Sequence, residues 1–391
     1  MVQKLNIAMV CDPVTDYTGG SFISTLRFGE LLKEKDHKVI FIAARSPKNP
    51  RDNSHNGIPV YRFSSLLLPK TEGRMYISFP TTAKIQKIFK EEKIDVVHIM
   101  LPTPSAIACV KAAKLLKIPI VIHSHAQPEN LFLHLPKIFF REILNRLFYK
   151  YLFWLYKKGD VIVYPSVFAQ KIFPKIGNMR TMVVSNGVDM RKFRGVDTRK
   201  FYEKFGLSRE TKKVLFVGRL HPEKMVDTFI RSVPEVVRKD SNVQFLIVGF
   251  GHMEEKLKKL AKDLRMEKHI LFFGEVSEED LIMAYNVGDI FVLPSLAELE
   301  GMAVLEAMAC GKPIIVADSK ESASPFFVDG NGFLFTPGDE KDLSEKILLL
   351  LGDEKIRREM GERSLQNSKQ YNIHESISKL ENLYYSLLKN P

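Results

Sequence analysis

Two carboxylates, Glu298 and Glu306, stand eight positions apart within Pro-Ser-Leu-Ala-Glu-Leu-Glu-Gly-Met-Ala-Val-Leu-Glu-Ala-Met-Ala-Cys-Gly, residues 294–311. The apolar run Ile290 to Leu293 stops at Pro294-Ser295; a loop follows, then a short helix that Gly311 can cap. Gly301 leaves room for a ligand to approach the first N–H groups of that helix, which attract phosphate. One acid in the loop and one inside the helix can both grip hydroxyls of a sugar-bearing ligand. Two cations, Arg219 and Lys224, follow the apolar run 213–218 and suit an anionic leaving group. The chain has no Asp-x-Asp to hold a divalent ion for that purpose. His123-Ser124-His125 closes a third apolar run, and alternation sends both histidines to the same side with Ser124 opposite.

The elements that must carry these residues alternate between strand and helix in two blocks. Strands are predicted near 5–11, 38–44, 59–63, 95–100, 119–124, 161–165 and 181–185, then near 213–218, 243–248, 269–273, 289–293, 313–317 and 333–335. Helices are predicted between most of them, the polar stretch 190–212 being the joint. Short buried strands alternating with helices mean parallel sheets covered on both faces. In such sheets ligands bind beyond the carboxyl ends of the strands. Every residue singled out above lies at such an end, as do Gly19-Gly20 after 5–11 and Gly249 and Gly251 after 243–248. A nicotinamide enzyme would share this architecture, but no Gly-x-Gly-x-x-Gly with an acid about 20 residues on is present.

Length, charge and cysteines bound the reading further. The 391 residues suffice for two or three domains with their own cores. Cys11, Cys109 and Cys310 are far apart in apolar contexts and give neither a disulfide framework nor a metal site, which fits a reducing compartment. No secretory leader is expected, since the chain runs at once into Leu5-Asn6-Ile7-Ala8-Met9-Val10. No window is apolar enough to span a membrane. Residues 1–190 carry 27 Lys and Arg against 14 Asp and Glu, while the remainder carries 31 against 32, so the net charge of +12 lies entirely in the first half. That field suits an anionic surface. Residues 135–158 interleave aromatics with Lys137, Arg141, Arg146, Lys150, Lys157 and Lys158, a pattern that fits either an amphipathic helix in a lipid interface or a helix packed on the sheet.

Glu298, seven residues and Glu306 within Leu-Glu-Ala-Met-Ala-Cys-Gly resemble the signature of retaining glycosyltransferases of family 4. Val217-Gly218-Arg219-Leu220 through Glu223-Lys224, Val248-Gly249-Phe250-Gly251, Phe273-Gly274-Glu275-Val276, Ser185-Asn186-Gly187-Val188-Asp189 and Gly19-Gly20 match in the family's order. The likeness covers nearly the whole chain and extends to the branch that glycosylates membrane lipids. It implies a GT-B α/β fold: two Rossmann-like, doubly wound parallel-sheet domains facing across a cleft. An acceptor domain, 1–189, would be completed by a crossover helix, 373–391, and a nucleotide-sugar domain would span 190–372. The implied activity is retaining transfer of a hexose from a UDP- or GDP-linked sugar to an acceptor hydroxyl on a membrane lipid, or else on a soluble sugar.

The resemblance assigns catalysis to His125, Glu298, Arg219 and Lys224, with Glu298 on the sugar hydroxyls and Glu306 on the ribose. It assigns donor contacts also to Gly19, Gly20, Gly218, Gly249, Gly251, Val276, Gly301, Met302 and Ala303. Met225 stands where the family often has glycine, which implies an altered loop geometry without loss of charge. Glu129 and Asn130 would face the acceptor, and Lys150, Trp154, Lys157 and Lys158 the membrane. No cofactor, metal or nucleic acid is expected. The expected partners are a nucleoside-diphosphate sugar, a lipid or lipid-linked acceptor and an anionic membrane surface, placing the protein in the cytoplasm, peripherally on the membrane's cytoplasmic face. A basic, non-catalytic protein that binds membrane or nucleic acid is the competing class.

Overall fold

The computed structural model describes residues 3–14, 19–46, 53–68, 75–126, 139–173 and 178–389. They form two compact units: residues 1–186 with 374–391, and residues 187–373. The first unit is built on an eight-stranded sheet in the order β10-β9-β8-β7-β1-β2-β4-β3. Its members are β1 (Asn6–Val10), β2 (Lys38–Ala44), β3 (Ser54–His55), β4 (Ile58–Phe63), β7 (Val96–Ile99), β8 (Ile120–His123), β9 (Val161–Tyr164) and β10 (Arg180–Val183). All pair in parallel except β3 with β4. The four residues of each of β7, β8 and β9 are buried, as expected of parallel strands covered on both faces. A small antiparallel hairpin, β5 (Ser65–Leu67) with β6 (Tyr76–Ser78), is added outside the sheet and was not expected from the sequence.

The last helix, Ile373–Lys389, buries Ile377, Leu380, Leu383, Tyr384 and Leu387 along one stripe, and residues 374–391 belong to the first unit. Its polar side is tied down too. Glu381 accepts from Lys35 and lies 3.0 Å from His37 Nε2, while Tyr385 Oη donates to the Gln3 carbonyl at 2.6 Å.

The second unit holds a six-stranded, all-parallel sheet in the order β13-β12-β11-β14-β16-β18. These are β11 (Lys212–Val217), β12 (Val243–Val248), β13 (Ile270–Gly274), β14 (Ile290–Leu293), β16 (Ile314–Ala317) and β18 (Gly332–Phe335). A two-residue parallel pair, β15 (Ala297–Glu298) with β17 (Glu321–Ser322), lies apart from it. Residues 190–212 are not a joint. They form helices Met190–Phe193 and Arg199–Phe205, whose Phe193 and Phe201 are buried in the second unit's core.

Candidate active site

From β11 the second sheet grows outward through β12 to β13, and then the chain returns to β11's other side as β14. The carboxyl ends of β11 and β14 therefore form a topological switch point, where open α/β sheets leave a crevice for ligands. Lys224 and Glu298 meet there. Lys224 ends a short 3-10 turn, Pro222–Lys224, after β11; Glu298 follows β14; Lys224 Nζ donates to Glu298 Oε1 in a largely buried ion pair. The two loops are stapled through the backbone. The Glu223 carbonyl accepts from Leu296 N at 2.8 Å and from Ser295 Oγ at 3.2 Å. Arg219 Nη2 lies 3.3 Å from Glu223 Oε1, so a carboxylate that is itself buried holds the guanidinium. Met225 adopts φ +48°, the left-handed conformation a glycine would take at that place. A non-glycine residue in that conformation costs about 1–2 kcal/mol.

Gly249 and Gly251 let the loops after β12 and β11 touch backbone to backbone. A Cβ on Gly249, where φ is +135°, would sit 1.9 Å from the Gly218 carbonyl oxygen, and one on Gly251 2.5 Å from that of Leu220. Side chains at either position would force the two strand ends apart. Val276, after β13, packs half-buried against the hydrophobic core.

Gly301 caps helix Met302–Ala309 with φ +95°. A side chain here would lie 2.4 Å from Ser324 Oγ, a buried hydroxyl with no hydrogen-bond partner among the described residues. Met302 and Ala303 supply the first N–H groups of that helix, which lack acceptors inside it. Glu306, one turn on, is buried and accepts from Tyr285 Oη at 2.9 Å. Neither acid of the Glu298–Glu306 pair is a freely solvated surface glutamate. Glu298 is anchored further by its carbonyl, which accepts from Ala323 N at 2.8 Å. Among the described residues, no group of three or more His, Cys, Asp or Glu is disposed to hold a metal ion.

In the first unit, Gly19 and Gly20 open helix Gly20–Glu34 beyond β1. This sheet switches between β1 and β7, and a polar cluster that sequence reasoning missed lies there. Asp12, just past β1, is buried and accepts from Ser78 N at 3.1 Å and Ser78 Oγ at 2.5 Å. Thr103 and Ser105 also hydrogen-bond to it, and burial raises its pKa above the ordinary carboxylate value. His123 and His125 do share one side, their rings stacked 4.1 Å apart, while Ser124 turns away to accept from Tyr156 Oη at 3.2 Å. Burial pushes the His125 imidazole down to about 3, so its ring is neutral near pH 7. Glu129 and Asn130 lie outside the described residues.

Helix Phe139–Tyr156 buries one face and exposes the other. Leu152, Leu155 and Tyr156 are buried, and Tyr151 Oη donates to the Pro102 carbonyl at 2.8 Å. The opposite stripe of Ile143, Leu147, Lys150 and Trp154 is exposed, Leu147 by 55% and Trp154 by 45%. Lys157 and Lys158 flank its end, and the Lys158 ammonium lies 4.6 Å from the centre of the Trp154 ring. Among the described residues, no helix is long and apolar enough to cross a membrane.

Residues 18–192 match the model of Glycosyltransferase Family 4, and residues 197–367 match that of Glycosyl transferases group 1. The N-acetyl-alpha-D-glucosaminyl L-malate synthase of Bacillus anthracis is 25% identical over 99% of this chain and 98% of its own. The phosphatidyl-myo-inositol mannosyltransferase of Mycolicibacterium smegmatis is 27% identical over 90% of this chain and 86% of its own. Among solved structures, Anabaena HepE in complex with UDP superposes with a TM-score of 0.78 at 19% identity, covering 98% of this chain and all of the other. An enzyme, not a non-catalytic binding protein, is therefore the right class. With both halves of the chain matched, the protein belongs to the family 4 glycosyltransferases of the GT-B fold.

Proposed function

We propose that the protein moves a hexose, with retention, from a UDP- or GDP-linked sugar to a hydroxyl of a membrane lipid. The observation that carries the donor half is the Lys224–Glu298 pair at the switch point of the second sheet. A nucleoside diphosphate would draw Lys224 away from Glu298, leaving the carboxylate to accept hydroxyls of the sugar. Arg219 and Lys224 would offset the charge that builds on the departing phosphate, with the N-terminus of helix Met302–Ala309 adding its dipole. The buried hydroxyl of Ser324 beside Gly301, which has no partner among the described residues, supports this, since an oxygen-rich ligand would satisfy it. Glu306 would hold the ribose; Gly218, Gly249, Gly251 and Val276 would wall the nucleotide. Gly19 and Gly20 would contact the donor, and His125 would line the anomeric carbon. In the transfer, the bond from that carbon to the phosphate oxygen breaks and its bond to the acceptor oxygen forms on the same face. The acceptor's proton passes to the departing phosphate.

The lipid half rests on the exposed apolar and basic stripe of helix Phe139–Tyr156 and on the positive first half of the chain. The similarity to a phosphatidyl-myo-inositol mannosyltransferase supports it; the similarity to an N-acetyl-alpha-D-glucosaminyl L-malate synthase stands for the soluble alternative. The test is release of nucleoside diphosphate from UDP-glucose, UDP-N-acetylglucosamine and GDP-mannose, with and without vesicles of phosphatidylinositol and phosphatidylglycerol. Stimulation by vesicles, with label passing into the lipid phase, is the expected result. Release that ignores vesicles and responds to a soluble acceptor refutes the lipid half, and no release from any nucleotide sugar refutes the whole.

A further inference from the structure

Three imidazoles of the first unit are stacked in nearly parallel planes. His98, in β7, lies 5.5 Å from His123 with an interplanar angle of 7°, and His123 lies 4.1 Å from His125 at 14°. Tyr384 of the last helix closes the far end, its Oη 2.6 Å from His98 Nδ1 and its ring edge-on to the imidazole. Phe28 flanks His123 at 5.9 Å. His98 Nε2, both nitrogens of His123 and His125 Nε2 are closed to solvent and have no hydrogen-bond partner among the described residues. A buried nitrogen left without a partner costs about 1–3 kcal/mol. Buried polar atoms kept at such a cost call for an explanation in function.

We propose that Tyr384, His98 and His123 are positioning residues that fix the ring plane of His125 at the carboxyl end of β8. The inference deepens the reading of His125 given above and rests on it. The outer torsion of a histidine side chain has a broad, two-fold profile, so an isolated ring would swing. Here the hydrogen bond from the last helix sets the plane of His98, and stacking passes that plane to His123 and then His125. Breaking the bond from the sugar to phosphate leaves positive character on the anomeric carbon, as in other glycosyl transfers. A neutral ring held in one orientation can sit against that carbon without repelling it. The last helix, remote in sequence, thereby becomes part of the catalytic support.

The test compares Tyr384→Phe, His123→Leu, His123→Phe and His125→Ala, using turnover of UDP-glucose, UDP-N-acetylglucosamine and GDP-mannose and the ring ¹⁵N signals of histidine-labelled protein. Tyr384→Phe and His123→Leu should lower kcat about tenfold with the donor's KM within about twofold. His123→Phe, which keeps a flat ring, should stay within about threefold of the parent. Tyr384→Phe should also shift the ring signals of His125, not only those of His98; this readout decides the matter should His123→Leu fail to fold. Parent-like kcat and unmoved His125 signals in Tyr384→Phe, beside a crippled His125→Ala, would overturn the column. Parent-like kcat in His125→Ala would instead overturn the reading of His125, and the inference with it.

Discussion

Lys224 and Glu298 are 74 residues apart in the chain and form a largely buried ion pair between the loops that follow neighbouring strands β11 and β14. Without a ligand, each charge is the other's partner. Removing one side chain leaves the other in a poorly solvated place, which in buried pairs costs about 3–5 kcal/mol. The pair is thus both a structural tie and, in the proposed reaction, the first contact that the donor must exchange.

Lys224→Ala should therefore lose stability and lower nucleoside diphosphate release by about 10² or more, several kcal/mol of leaving-group stabilisation. Arg219→Ala should match it in activity with a smaller loss of stability, because Arg219 is about a third exposed. The double variant Lys224→Met with Glu298→Gln should regain melting temperature relative to Lys224→Ala but no activity. Melting curves and donor turnover on the same preparations measure both. Activity within a few-fold of the parent in both single variants would sink the phosphate clamp.

With two cations assigned to the diphosphate, release should persist in excess EDTA. A loss that titrates back with Mg²⁺ or Mn²⁺ would show that the diphosphate is neutralised in another way.

The pair also shows what the sequence makes legible. The strand ends carrying Arg219, Lys224, Gly249 and Glu298 follow apolar runs bounded by glycine or proline, so placement at one edge of a parallel sheet could be read directly. Helix Glu354–Ser368 could not, because it buries Gly361, Ser364 and Ser368 instead of an apolar stripe. Its close approach needs those small residues: a Cβ on Gly361 would lie 2.4 Å from the Gly311 carbonyl oxygen. Helix Arg199–Phe205 was hidden by charges around a single buried Phe201. Asp12 and His98 look like ordinary strand residues until β6, the start of helix Pro104–Leu116 and the last helix are brought against them. These contacts are long-range, and no local pattern encodes them.

The buried histidines make stability depend on pH. Folding pushes His98 down to about 3 and His123 well below its ordinary value of 6.5. Between about pH 3 and 6.5 the unfolded chain therefore binds more protons than the folded one, and stability rises with pH through that window before levelling. Each such histidine contributes a slope of up to about 1.4 kcal/mol per pH unit. His123→Phe should flatten the slope by about one proton and stabilise the protein more at pH 5 than at pH 8. Urea unfolding across that range checks it; comparison with the parent cancels the opposite contribution of Asp12, whose raised pKa is common to both. Equal slopes would mean that His123 is protonated in the fold.

The exposed stripe on helix Phe139–Tyr156 predicts where the enzyme works. Each basic residue near an anionic bilayer contributes about 1 kcal/mol, screened beyond about 8 Å at physiological salt, while Leu147 and Trp154 can enter the interface. The wild type should float with phosphatidylglycerol vesicles at low salt and be released at high salt. Lys150→Glu, Lys157→Glu and Lys158→Glu together should abolish flotation; Trp154→Ala should weaken it and leave its salt dependence. Hydrolysis of the donor by water should survive in both variants, because Lys224 and Glu298 belong to the other unit. Wild-type protein that stays out of the lipid fraction at low salt would leave the stripe without a membrane role and turn the search to a soluble acceptor.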